Sequence, residues 1–131
     1  MERFALLGSA VLGFFAVALG AFGAHGLKAK LAPLADGAQR LEWWATGTQY
    51  QAIHALALGL VAYLASRSSA TSVGVAAIAF IVGAVLFSGS LYVMTLSGLR
   101  WLGAVTPFGG LAFLVGWAAV FVAALSLPPR S

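Results

Sequence analysis

Two pairs of residues carry the chemistry this chain could perform: Tyr50 with His54, and Ser88 with Tyr92, each spaced by four positions and so sharing one face of a helix. All four lie in largely apolar runs, where burying a polar or ionisable side chain is costly and is a default pointer to function. Gln51 can join His54 or reach the headgroup level. His25, Ser90 and Thr106 complete the set, because turn counting puts all of these positions near the same membrane face, where they could form one polar cluster. An imidazole there can contact a ligand or handle a proton. It can equally be a neutral ring bonded between helices that fixes their rotation. The serines can bond back to carbonyls of their own helix or join helices together, and Tyr92 suits an interfacial anchor.

Other chemistries find too few parts. A metal site on His25 and His54 lacks further ligands, since Asp36 and Glu42 lie on the outer segment. Paired haem ligation requires both histidines to face one cavity. A hydrolase set of Ser88, His54 and Glu42 can be assembled only on paper. No carboxylate lies within a span to serve a proton pump. The glycines around Gly20 and Gly109 have no following lysine and no preceding strand, so they are not phosphate loops. The absence of cysteine excludes disulfides and thiolate sites. No catalytic residue, metal or cofactor is assigned; the chain supplies no catalytic set of its own, and enzyme activity would require chemistry brought by a bound cofactor.

The elements that must position these residues follow from composition. Of 131 residues 62% are hydrophobic and 8% charged, with a mean hydropathy of +1.01. That much apolar surface must face lipid. The seven basic residues are scattered singly, which reads as a topology signal rather than a nucleic-acid face. The expected fold is all-α: a polytopic integral membrane four-helix bundle forming a single transmembrane domain over residues 1–131.

The spans are expected at about 4–24, 49–66, 73–94 and 106–126. The first is too long for the apolar core of a signal peptide, the rival reading. Between the first two, residues 37–46 with Trp43 and Trp44 are expected to form a short interfacial helix, with Asp36 as its N-cap. Gly47 loosens the chain, and Thr48 with Gln51 has the capping-box spacing for a restart. Thr106 suits an N-cap before Pro107. Gly13, Ala16, Gly20 and Ala24 form one small-residue packing seam; Gly109, Ala112 and Gly116 begin another. Four spans place both termini on one side. Trp43, Trp44 and Trp101 then share the opposite interface. Arg3, Arg67 and Arg130 oppose Lys28, Lys30, Arg40 and Arg100, a near-even vote on orientation.

The motifs Gly20 to Gly26 (GAFGAHG), Thr48 to Leu56 (TQYQAIHAL), Phe87 to Tyr92 (FSGSLY) and Thr106 to Gly110 (TPFGG), with Trp117, add a resemblance. The chain resembles the small four-span membrane family that includes bacterial YgdD and animal transmembrane protein 256, over nearly its whole length. The resemblance implies a domain of unknown function in a bacterial plasma membrane and favours cytoplasmic termini. It supplies no substrate, cofactor or catalytic residue.

The expected function is an accessory or assembly partner of a membrane complex, since the chain has almost no extramembrane domain and two seams for close helix contact. The expected partners are the lipid bilayer and either another membrane protein or further copies of the chain, with no nucleic acid. The alternative is a binding or transport module that holds a lipid, quinone or other amphiphile around His54.

Overall fold

The computed structural model describes residues 1–129; Arg130, counted above in the charge vote, lies outside them. The described chain is helical almost throughout and contains no strand. Helix α1 spans Glu2–Leu31, α2 Gly37–Arg67 and α3 Thr71–Ser97, and a short 3₁₀ turn, Arg100–Ala104, leads into α4, Thr106–Leu125. Three of these segments, Glu2–Leu31, Thr71–Ser97 and Arg100–Leu125, are long and apolar enough to cross a membrane. The α2 helix has the length but not the uniform apolarity, because Gln51 and His54 lie on its buried face and Arg40 and Glu42 near its start.

The α2 helix forms the centre of the bundle. Its buried positions are distributed around much of its circumference: Trp44, Gly47, Gln51, His54, Ala55, Leu58 and Val61 all lose contact with the surroundings. The α1 helix packs along one side of α2, α3 along another, and α4 mainly against α3. Leu58, Val61, Val73, Ala77, Phe80 and Phe113 form the principal core, with Leu27, Leu31 and Trp44 in a second cluster at the other end.

Glycines set the closest approaches. A Cβ on Gly83 would collide with the Phe113 ring and one on Gly116 with the Phe80 ring, so α3 and α4 interlock ring into notch in both directions. Gly109 lies against the backbone of Phe87 itself, which no side-chain rotation could relieve. Such contacts matter most in lipid, where association depends on packing rather than on expelling water.

The expected short interfacial helix is corrected. Residues 37–46 are the opening turns of α2, which runs unbroken through Gly47. An interior glycine costs a helix only about 1 kcal/mol. Here it makes room for Tyr92, whose Cε1 would lie 2.8 Å from an added Cβ. The restart at Thr48 is therefore absent, and its hydroxyl bonds back to the carbonyl of Ala45 at 3.0 Å. Asp36 does not cap with its side chain; the carboxylate pairs instead with Arg40 Nε at 3.1 Å. Thr106 is the first helical residue rather than the cap.

The first span also extends past its expected end, since the polar stretch His25 to Lys30 stays helical by way of a π-helical turn at Gly23–Leu27. A second π turn, Ala84–Ser88, interrupts α3. Each π turn carries an extra residue per turn and re-aims the side chains beyond it. The one at Gly23 receives the Trp44 indole, which an added Cβ would meet at 2.5 Å.

Candidate functional site

The His54 imidazole is buried and held by contacts from α2, α3 and α4. Trp117 Nε1 lies 3.2 Å from His54 Nε2, and an indole N–H can only donate, so Nε2 accepts. The proton of the neutral ring is then on Nδ1, which donates to the carbonyl of Tyr50 at 2.7 Å. The Phe113 ring stacks on the imidazole with centroids 3.5 Å apart and an interplanar angle of 7°, and Phe80 lies at 5.4 Å. Both nitrogens are spent, so this ring can neither bind a metal nor take a proton at Nε2 without breaking the bond to Trp117.

A second set of bonds lies on the other sides of α2. Tyr92 donates its hydroxyl to Gln51 Oε1 at 2.7 Å, and Gln51 Nε2 donates to the carbonyl of Leu12 at 2.9 Å, so one relay joins α3, α2 and α1. Ser88 donates to the carbonyl of Gly47 at 2.6 Å. Ser90 and Thr106 share a hydroxyl contact of 2.7 Å between α3 and α4. Trp44 Nε1 donates to the carbonyl of Leu19 at 2.8 Å, which fastens α1 a second time. Among the described residues no buried side-chain nitrogen or oxygen lacks a partner.

The expected residues are thus brought together in part. Gln51, Ser88 and Tyr92 form one group, Tyr50 and His54 another, and Ser90 with Thr106 a third. His25 joins none of them: it is exposed on the π turn of α1. Of the first seam, Ala16 is buried and Gly13 faces Ala55, but Gly20 meets nothing and Ala24 is exposed. Of the second, Gly109 and Gly116 are buried and Ala112 is half-buried.

Three features escaped the sequence reading. Trp117 is the donor to His54, and matching its depth in α4 to that of His54 in α2 could have suggested it. The reciprocal Gly83–Phe113 and Gly116–Phe80 contacts had no local signal. At the end of the bundle that carries Trp43 and Trp101, Asp36 is shared by Arg40 at 3.1 Å and Arg100 at 3.6 Å, while Arg100 also bonds Gln39 and lies over the Trp43 ring. Thr95 and Arg40 exchange bonds through their backbone carbonyls, which ties the start of α2 to the end of α3.

Among the described residues no group of three histidine or carboxylate side chains could hold a metal ion. Two clefts of similar size open on the bundle surface. One, of about 700 Å³ between α3 and α4, is walled mainly by aliphatic residues such as Val75, Ile78 and Val82. The other, of about 730 Å³ between α2, α3 and α4, is lined by Gln49, Tyr50, His54, Phe87, Phe113 and Trp117 among others.

Comparison with known proteins adds a consistent set of relatives. The family model described as protein of unknown function (DUF423) matches residues 19–110. The UPF0382 inner membrane protein YgdD of Escherichia coli K12 is 47% identical over 131 residues, covering 96% of this chain and 92% of the relative. The UPF0382 membrane protein YwdK of Bacillus subtilis is 45% identical over 126 residues, covering 95% and 98%. A UPF0382 membrane protein of Staphylococcus epidermidis is 42% identical over 125 residues, covering 95% and 97%. No solved structure matches.

Proposed function

This chain belongs to the UPF0382 (DUF423) family of membrane proteins of unknown function, and from that premise we propose that it is a four-span accessory or assembly partner of a bacterial inner-membrane complex. In this reading α2 is the fourth span. Its buried polar groups, Gln51 and His54, are turned toward neighbouring helices, which shield them from lipid. Both termini and the Arg67 turn face the cytoplasm, with the tryptophan-bearing loops outside.

The observation that carries the proposal is the placement of α1. Only 11% of its most apolar stretch is buried inside the bundle, against 44% for α3 and 33% for the segment containing α4. It rests on α2 alone for most of its length, and Phe4, Leu7, Val11, Phe14 and Val17 point outward. Gly20 and Ala24 remain open there, and small residues are what allow a further helix to approach closely in lipid. The polar groups at the centre favour the same reading. Their bonds are used between helices, as a scaffold requires, rather than being held free for substrate.

The test is a photo-crosslinking residue placed at Val17, in protein expressed at its native level, followed by gentle extraction and native mass spectrometry. A discrete added protein mass, absent when the crosslinker is moved to Phe121 on α4, is the expected result. Crosslinks to lipid alone at both positions would sink the proposal.

A further inference from the structure

We propose that the cleft beside His54 binds the ring of a membrane-soluble quinone, which stacks on its aromatic walls and accepts hydrogen bonds from Tyr50 and Gln49. This is independent of the α1 surface invoked above, because the cleft opens on the opposite side of α2.

Three observations select this occupant. The first is size: about 730 Å³ is within the range of small-molecule sites and accommodates a substituted ring with part of its tail. The second is the wall. Tyr50 and Phe87 lie 4.3 Å apart and Phe87 and Phe113 5.6 Å apart, so the cleft presents a continuous aromatic surface suited to a flat ring. The aliphatic cleft between α3 and α4, of nearly the same volume, serves as an internal contrast, since acyl chains need nothing more than such a surface.

The third observation is the polarity. Tyr50 is 39% exposed and Gln49 is exposed; both line the cleft, and their side chains make no hydrogen bond to the described protein. His54 and Trp117 are already committed to each other. What the cleft offers is therefore a phenol and an amide N–H, which are neutral donors matched to carbonyl oxygens. No charged side chain lines it. A phospholipid phosphate would find no cation there, whereas a neutral ring carbonyl finds two donors. Donors left facing hydrocarbon are costly, which favours a ligand that can accept from them.

The experiment uses full-length protein in phospholipid nanodiscs with a short-tailed azido-quinone as photoprobe, the label being mapped by mass spectrometry. Label on Ile53, Leu114 or Trp117, competed by the unlabelled quinone, is expected. Tyr50→Phe should weaken competition about three- to tenfold. Gly110→Leu should abolish labelling at unchanged melting temperature, since an added Cβ at Gly110 has ordinary room and extends into the cleft. If that variant fails to fold, Tyr50→Phe decides. Label scattered over the lipid-facing surfaces of α1 and α3, unchanged affinity in Tyr50→Phe, or equal competition by phosphatidylglycerol would each overturn the proposal.

Discussion

Trp117 and His54 lie 63 residues apart in the chain, and one hydrogen bond between them, at 3.2 Å, assigns the imidazole its tautomer. The indole N–H makes Nε2 the acceptor, and Nδ1 is left to donate into the preceding turn of α2. Trp117→Phe removes the donor and leaves a buried acceptor, an expected loss of about 1–3 kcal/mol. His54→Ala also strips the stack on Phe113 and opens a cavity, for about 2–5 kcal/mol. Thermal unfolding in detergent measures both. Melting temperatures equal to wild type would show that the pair carries no structural load.

Two glycine substitutions should behave oppositely. Gly109→Ala drives a methyl into the Phe87 backbone and should cost at least about 2 kcal/mol or separate α3 from α4. Gly20→Ala meets nothing within 4 Å and should be neutral, or stabilising by up to about 1 kcal/mol through helix propensity. Equal effects at the two positions would contradict the packing described here. The same Gly20 variant tests the α1 surface, since a close partner helix there would make the added methyl disruptive only in the assembled complex.

The relay from Tyr92 through Gln51 to Leu12 should be coupled. Tyr92→Phe leaves Gln51 Oε1 without its donor, at about 1–3 kcal/mol, while Gln51→Leu removes both bonds. A double-mutant cycle should return a coupling of about 0.5–3 kcal/mol. Additive effects would mean that the bond contributes nothing.

At the end of the bundle that carries Trp43 and Trp101, electrostatics and backbone geometry should separate. Asp36 is one-third exposed, so Asp36→Asn should cost less than about 1 kcal/mol, and added salt should shrink the difference. Gly98 has a φ of +74° and lies against the Arg40 guanidinium, so Gly98→Ala should cost at least about 1–2 kcal/mol at any salt concentration. Salt-independent loss in Asp36→Asn would argue against an ion-pair role.

Since the chain has no native cysteine, topology can be read with single-cysteine variants. In intact cells a membrane-impermeant maleimide should label Ala35→Cys and spare Ser69→Cys until the cells are permeabilised. The reverse pattern would invert the orientation. Labelling of both in intact cells would remove α2 as a span.

The helical class and the approximate places of α1, α3 and α4 were legible in the linear sequence, as was the presence of polar residues within its apolar runs. Apolar run length and the mismatch between 62% hydrophobic content and 8% charge require nothing but composition and the thickness of a bilayer. The i and i+4 spacing of Tyr50 with His54 is likewise local, because it follows from helix geometry. Local rules failed where a residue served a distant neighbour. Gly47 looked like a break because glycine is a weak helix former, yet its place in α2 is set by the Tyr92 ring. Asp36 and Thr106 looked like caps, yet their side chains are engaged by residues brought in from elsewhere in the chain, Arg100 and Ser90.

Sequence alone therefore determined the environment of this protein and the repertoire of its segments, since partition into lipid depends on each residue's transfer energy and is nearly additive along the chain. Only the tertiary structure decided what the polar residues do. A hydrogen bond requires two groups within about 3 Å, and the partners of His54, Gln51 and Ser88 come from helices whose rotation and depth no local pattern encodes. The same packing that spends both nitrogens of His54 leaves Tyr50 and Gln49 facing a cleft.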